Sequence, residues 1–126
     1  MEVLLDTSFI LSCLKQRIQF IDLISENYGK ILVPEQVLRE LESIFKDKDQ
    51  KLKDRDAAAL ALQLVEKLKL ETVDLETEEV DEGIVEYSKQ RDMIVATLDK
   101  PLKRKLKGHK IMIITDTKKI VLDSKA

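Results

Sequence analysis

The chain has 126 residues, a length that fits one domain and leaves little room for a second. Only 4% of the residues are aromatic and Trp is absent, so platforms for stacking bases are scarce. Cys13 is the only cysteine and His109 the only histidine, which excludes an intrachain disulfide and paired-histidine zinc sites. With no signal peptide or long apolar run, we expect a single cytoplasmic domain over residues 1–126 that has no membrane partner.

Patterns typical of strands and of helices alternate from end to end. Apolar runs predict strands at 3–5, 31–33, 70–75, 93–96 and 111–114. Helical spacing predicts helices over 9–24 with a break near Gln16, from Pro34 to Phe45, and over 57–68, 77–90 and 100–107, with Thr77 as a cap. The polar stretch 46–56 is expected to be a loop or a frayed helix end. We therefore expect an α/β three-layer sandwich with a central, mostly parallel twisted sheet of about four or five strands flanked by helices.

Two acidic residues directly follow apolar strands. Asp6 follows the first predicted strand, and Asp99 follows the fourth. Ligands of open α/β sheets bind outside the carboxyl ends of the strands, so both carboxylates are candidates for one site. Either residue could instead cap the helix that follows it. For Asp99 such a cap would have to reach Leu102, because Pro101 has no N–H.

Two further acidic residues lie in predicted helices. Asp81 falls in a first helical turn, where the helix dipole favours an acid without any further role. Glu40 and Glu42 flank the same apolar stripe, and periodicity cannot choose between them. Carboxylates gathered in one place repel each other unless a cation neutralises them, and oxygen donors without His or Cys suit Mg²⁺ or Mn²⁺.

Four blocks of the sequence resemble PIN domains, in the order in which that family has them. The blocks are Val3-Leu4-Leu5-Asp6-Thr7-Ser8, Val33-Pro34-x-x-Val37-Leu38-x-Glu40-Leu41, Val80-Asp81-x-x-Ile84-x-x-Tyr87-Ser88 and Val95-Ala96-Thr97-x-Asp99-x-x-Leu102-Lys103. Together they span nearly the whole chain, and they select Glu40 over Glu42. One departure is Leu98, where many members carry a polar residue.

The resemblance implies a metal-dependent endoribonuclease that hydrolyses phosphodiester bonds in single-stranded or structured RNA. The implied catalytic and metal-binding residues are Asp6, Glu40, Asp81 and Asp99, with Mg²⁺ or Mn²⁺ as cofactor. Thr7, Ser8 and Thr97 would orient these carboxylates through hydrogen bonds. Residues 1–99 carry 13 Lys and Arg against 22 Asp and Glu, whereas residues 100–126 carry 9 against 2. The candidate RNA contacts in this basic segment are Lys100, Lys103 and Arg104, although such a run equally forms a solvated helix face balancing the acidic body.

Several alternatives remain open within this hypothesis. The chain is most similar to the archaeal and eukaryotic PIN domains associated with rRNA processing. VapC toxins come second, because the residues before Asp81 depart from the small-residue pattern common in toxins. A PIN domain that binds RNA without cutting it is a third reading, and a receiver-like signalling domain a fourth, although a receiver needs paired acids where the first strand offers only Asp6. The implied partners are RNA, a second copy in a homodimer, and an antitoxin or a ribosome-assembly protein.

Overall fold

The computed structural model describes residues 1–123, which form six strands and six helices. The strands are β1 (Glu2–Leu5), β2 (Lys30–Pro34), β3 (Glu71–Val73), β4 (Met93–Ala96), β5 (Lys110–Ile114) and β6 (Ile120–Leu122). The helices are α1 (Thr7–Lys15), α2 (Phe20–Asn27), α3 (Glu35–Lys46), α4 (Leu52–Lys67), α5 (Val80–Lys89) and α6 (Lys100–Lys105). Within residues 1–123, no helix is both long enough and apolar enough to cross a membrane.

The strands form one sheet in the order β3-β2-β1-β4-β5-β6. The first five strands in chain order are parallel to their neighbours, and only β6 pairs in the antiparallel direction, with β5. The predicted mostly parallel sheet is therefore confirmed, with one strand more than the four or five expected. This order also differs from the β2-β1-β3-β4-β5 order of receiver domains, which makes the receiver hypothesis wrong.

The centre of the sheet is apolar on both of its faces. In β1, Val3 and Leu5 point to one face and Leu4 to the other, and none of the three is exposed to solvent. The first face packs against helices α1 to α4, and the second packs against α5 and α6. The three-layer arrangement predicted from the alternation of strands and helices is confirmed.

Strand order places a switch point between β1 and β4. From β1 the chain crosses to β2 on one side, and it later returns through α5 to β4 on the other side of β1. The helices that follow β1 and β4 therefore diverge to opposite faces of the sheet. A crevice opens between them at the carboxyl ends of these two strands. Asp6 and Asp99 follow these two strands, so the fold places both at the crevice.

Several element boundaries differ from the sequence-based predictions, among them those near Pro34, Leu52 and Thr77. Pro34 closes β2 and stands just before α3, rather than in the first helical turn. Helix α4 begins at Leu52, several residues earlier than predicted, although its first turn is mostly exposed. Thr77 does not cap α5; its hydroxyl accepts a hydrogen bond from the N–H of Glu79, which is itself the residue before the helix.

A buried glutamine holds α3 against the segment that leads into α5. Gln36 is 3% exposed; its Nε2 donates to Asp74 Oδ1 at 2.8 Å, and its Oε1 accepts from the N–H of Leu75 at 3.1 Å. Because Glu40 lies one turn along the same helix and Asp81 follows the same segment, this pair of bonds sets the distance between two candidate site residues.

We expect Gln36→Leu to lower the free energy of unfolding by about 1–3 kcal/mol, because it leaves the buried N–H of Leu75 without its partner. Urea denaturation followed by circular dichroism measures this loss. Gln63→Leu, on the exposed side of α4, is the matched control and should change stability by less than about 0.5 kcal/mol. Equal effects of the two substitutions would show that the Gln36 bonds do not brace the fold.

Candidate active site

Asp6 lies at the end of the central strand and is only 5% exposed. It occupies the position before α1, yet its side chain makes no capping hydrogen bond, so the helix-cap reading of Asp6 is wrong. Its Oδ2 instead accepts hydrogen bonds from Thr97 Oγ1 at 2.7 Å and from Ser8 Oγ at 3.0 Å. These hydroxyls hold the carboxylate in one orientation at the carboxyl end of β1.

Asp99 combines the two roles that the sequence left open. Its Oδ1 accepts a hydrogen bond from the N–H of Leu102 at 3.1 Å, so it caps α6 across Pro101 as the sequence allowed. It also lines the crevice beside Asp6.

Glu40 and Asp81 approach the crevice from helices on two sides. Thr7 Oγ1 donates a hydrogen bond to Glu40 Oε1 at 2.5 Å, which links α3 to the start of α1. Glu42 pairs with Lys46 Nζ at 2.6 Å outside the cavity, whereas Glu40 lines it. Asp81 lies in the first turn of α5.

Glycine allows α5 to pack closely behind Asp81. A Cβ at Gly83 would lie 2.9 Å from both Leu75 Cβ and Thr77 Cγ2, closer than side-chain carbons normally approach. Any larger residue would push the helix outward. The position of Asp81 therefore depends on this close contact between α5 and the segment before it.

A cavity of about 610 Å³ contains all four predicted carboxylates. Its lining residues are Asp6, Thr7, Ser8, Gln36, Arg39, Glu40, Ser43, Ile44, Glu78, Val80, Asp81 and Asp99. Thr97 is fully buried behind Asp6 and does not line the cavity, but its hydroxyl donates to the Asp6 carboxylate. The four carboxylates therefore share one cavity beyond the carboxyl ends of β1 and β4.

The predicted RNA-contacting cations of α6 lie outside the lining of this cavity. Lys103 Nζ lies 4.0 Å from Asp123 Oδ2, and both Lys100 and Arg104 are exposed. Lys105 pairs with Glu82 at 2.8 Å on the outer side of α5. The contact of Lys100, Lys103 and Arg104 with RNA stays a prediction, and it applies to the approach to the cavity rather than to its wall.

Asp6, Glu40 and Asp81 are held in an environment that disfavours their charged forms. Burial raises the pKa of Asp6 above its ordinary value, although the hydrogen bonds from Thr97 and Ser8 work against this rise. Loss of solvent likewise raises the pKa of Glu40, and the charges of Asp6 and Asp81 add to the effect. The pKa of Asp81 is raised first by desolvation and then by repulsion from Asp99 and Asp6. A bound cation would therefore stabilise the charged forms of these carboxylates.

The donor chemistry fits a hard divalent cation. Within residues 1–123, no group of three or more Asp, Glu, His or Cys side chains is arranged to hold a metal ion. Hydroxyl groups of Ser8, Thr97 and Thr7 donate hydrogen bonds to one oxygen of Asp6 and one oxygen of Glu40. Carboxylate oxygens without nitrogen or sulfur donors are the ligands that Mg²⁺ and Mn²⁺ accept. The convergence of all four acids on one ion stays a prediction.

Hydroxyl groups replace the polar residue that Leu98 does not supply. The N–H of Leu98 donates to Ser8 Oγ at 3.1 Å, while its side chain packs against the main core. The N–H of Asp99 donates to Thr97 Oγ1 at 3.1 Å, so that one hydroxyl touches both aspartates. The departure at Leu98 thus leaves Asp6 and Asp99 linked through neighbouring side chains.

Sequence reasoning missed four polar residues of the cavity wall: Gln36, Arg39, Ser43 and Glu78. Gln36 and Arg39 lie on the same side of α3 as Glu40, and Glu78 lies in the segment before α5. The positions of Gln36 and Arg39 carried a usable signal. Residues three and four apart share one helix face, which relates Gln36 to Glu40, and Arg39 directly precedes Glu40. The identification of Glu40 as a site residue would have been enough to bring in Gln36. Glu78 carried no such signal, because its place depends on the fold.

Comparisons with known proteins agree with this geometry. A family model described as "PIN like domain" matches residues 3–119. Ribonuclease VapC4 of Methanocaldococcus jannaschii is 34% identical over 113 residues, which cover 86% of this chain and 85% of that protein. The solved structure of the PIN domain endonuclease Utp24 matches with a TM-score of 0.75 and 25% identity, covering 99% of this chain and 92% of that one. The chain therefore belongs to the PIN-like domain family, as its four sequence blocks predicted.

Proposed function

We propose that the protein is a metal-dependent endoribonuclease and that its cavity holds the cleavage site. The observation that carries the proposal is the meeting of Asp6, Glu40, Asp81 and Asp99 in one cavity at the switch point of the sheet. The similarity to two proteins named as a ribonuclease and an endonuclease supports the same chemistry. Both similarities extend over most of the chain.

The chain's own residues would position the reaction. Asp6 and Asp99 would bind the cation from the ends of neighbouring strands, where the backbone is rigid. Glu40 and Asp81 would complete its shell directly or through water. A bound Mg²⁺ or Mn²⁺ would polarise the phosphate and lower the pKa of a bound water, which could then act as the nucleophile. Thr7, Ser8 and Thr97 would hold the carboxylates through the hydrogen bonds already described.

Purified protein incubated with an end-labelled single-stranded RNA tests the proposal. We expect internal cleavage that requires Mg²⁺ or Mn²⁺ and stops when EDTA is added. A DNA strand of the same sequence separates a ribonuclease from a nuclease without sugar preference. RNA that stays intact with either metal while binding to the protein would instead support a PIN domain that binds RNA without cutting it.

We expect Thr97→Val to lower the rate of RNA cleavage by about 10- to 100-fold, because it removes the hydroxyl that orients Asp6 and Asp99. Initial rates at saturating metal measure the effect. Thr97→Ser keeps the hydroxyl and should retain most of the activity. Thr72→Val, on the exposed edge strand β3, is the control for a similar change elsewhere in the sheet. Equal activity of the valine and serine variants at position 97 would remove this hydroxyl from the site.

Two biological settings fit such a ribonuclease, and the sequence resemblance places rRNA processing first. The second candidate is a toxin with an antitoxin as partner, and the 34% identity to Ribonuclease VapC4 supports it. Regulated expression in a host separates them. Growth arrest by the wild type that Asp6→Asn removes favours a toxin, whereas unprocessed precursor rRNA after depletion favours rRNA processing with a ribosome-assembly partner. Size-exclusion chromatography with light scattering tests the proposed homodimer.

A further inference from the structure

We infer that Arg39 is the residue that binds an RNA phosphate inside the cavity, and that Glu78 occupies its guanidinium until RNA arrives. The inference rests on the proposed ribonuclease function and assigns a substrate contact to the same site. Arg39 lies on α3 directly before Glu40, on the wall of the cavity. Within residues 1–123, it is the only positively charged side chain that lines the cavity.

The charge of the cavity makes such a residue necessary. Five of the lining residues are acidic: Asp6, Glu40, Glu78, Asp81 and Asp99. An RNA backbone brought toward this wall meets repulsion that a bound cation relieves only near its own position. A phosphate next to the cleaved bond needs a second positive group, and a guanidinium presents planar donors that match phosphate oxygens.

The present partner of Arg39 shows that its guanidinium binds an anionic group at this place. Arg39 Nη2 lies 3.0 Å from Glu78 Oε1, across the mouth of the cavity from α3 to the segment before α5. Both side chains are well exposed, 53% and 79% respectively, so the ion pair contributes little to stability. An incoming phosphate can therefore displace Glu78 at small cost.

Other cations act on the acids from outside the lining of the cavity. The charge of Lys105 reaches Asp81 and Asp99, but Lys105 pairs with Glu82 at 2.8 Å and does not line the cavity. Lys103 lies near Asp123, also outside that lining. These side chains suit RNA that approaches along the basic helix, whereas Arg39 shares the cavity wall with the carboxylates themselves. Arg39 and α6 would then contact different phosphates of one strand.

Steady-state cleavage of a short single-stranded RNA at several salt concentrations tests the inference. We expect Arg39→Ala to raise KM about 10-fold and to make the negative slope of log(1/KM) against log[salt] shallower by about 0.7, the loss of one phosphate contact. Lys46→Ala removes a cation from the same helix that is paired with Glu42 at 2.6 Å outside the cavity, and KM should stay within about 2-fold of wild type.

Glu78→Gln should change KM in the opposite direction from Arg39→Ala, which tests whether Glu78 competes with RNA for Arg39. Release of Arg39 should lower KM by about 2- to 5-fold in the wild-type background, and the gain should be smaller when Arg39 is already replaced by alanine, because only the loss of one negative charge from the cavity then remains. An unchanged KM in Arg39→Ala, or an equal gain from Glu78→Gln in both backgrounds, would overturn the assignment while leaving the ribonuclease proposal intact. Wild-type protein that neither binds nor cleaves RNA would overturn both.

Discussion

Asp6→Asn should reduce RNA cleavage by at least about 100-fold while the protein keeps its fold. The asparagine side-chain oxygen can still accept the hydrogen bonds from Thr97 and Ser8, so the substitution changes little except the charge. Loss of a charged metal ligand removes several kcal/mol of transition-state stabilisation, and each 1.4 kcal/mol is worth about 10-fold in rate. The effect should appear in kcat, because Asp6 lies deep in the cavity and would bind the metal rather than the RNA.

The measurement compares initial rates of the wild type and the Asp6→Asn variant at saturating Mn²⁺. Asp56→Asn is the matched control, since Asp56 is an exposed aspartate on α4 outside the lining of the cavity. Circular dichroism of both variants shows whether the fold is retained. Wild-type activity after Asp6→Asn would remove Asp6 from the catalytic residues and with it the central position of the proposed site.

The acidic residues of the cavity oppose the stability of the fold that holds them. Burial disfavours the charged form of Asp6, and the same factor acts on Glu40 and Asp81 together with their mutual repulsion. A protein retains such an arrangement where a ligand offsets it. The apolar centre of the sheet supplies the stability that makes this tolerable, because β1 and β4 are buried on both faces.

Much of the site could be predicted because the chain marks the ends of its buried strands. Val3-Leu4-Leu5 and Met93-Ile94-Val95-Ala96 are continuous apolar runs, and a polar residue follows each of them closely. Such runs indicate parallel strands covered on both faces, and parallel strands bring their carboxyl ends to one edge. Asp6 and Asp99 follow from this reasoning alone, whereas the choice of Glu40 depended on the family resemblance.

The remaining features depend on contacts between distant parts of the chain. Strand β6 has three residues and no apolar alternation of its own; it exists because it pairs with β5 after a turn in which Lys118 adopts a φ of 64°. The ion pair between Arg39 and Glu78 joins residues 39 positions apart, and it forms only once α3 and α5 pack on opposite faces of the sheet. Local periodicity contains no information on either.

Divalent metal should stabilise the protein at neutral pH by an amount that disappears in acid. A metal ion present at about 100 times its dissociation constant stabilises the native state by about 2.7 kcal/mol, which corresponds to a rise in Tm on the order of 10 °C. Because protons compete for the carboxylates of Asp6, Glu40 and Asp81, the rise should shrink as pH falls through their raised pKa values.

Without metal, the pH dependence has the opposite sign. The pKa values of these three groups are higher in the native than in the unfolded protein, so their contribution is favourable below the ordinary values, near about pH 4, and is lost as pH rises through the native values. Thermal unfolding in EDTA should therefore show that this contribution to stability falls as pH rises, and Asp6→Asn should make the fall smaller. Scanning calorimetry from about pH 4 to about pH 8, with and without Mn²⁺, measures both effects. Equal Tm values with and without Mn²⁺ at neutral pH would mean that the four carboxylates do not bind a shared cation.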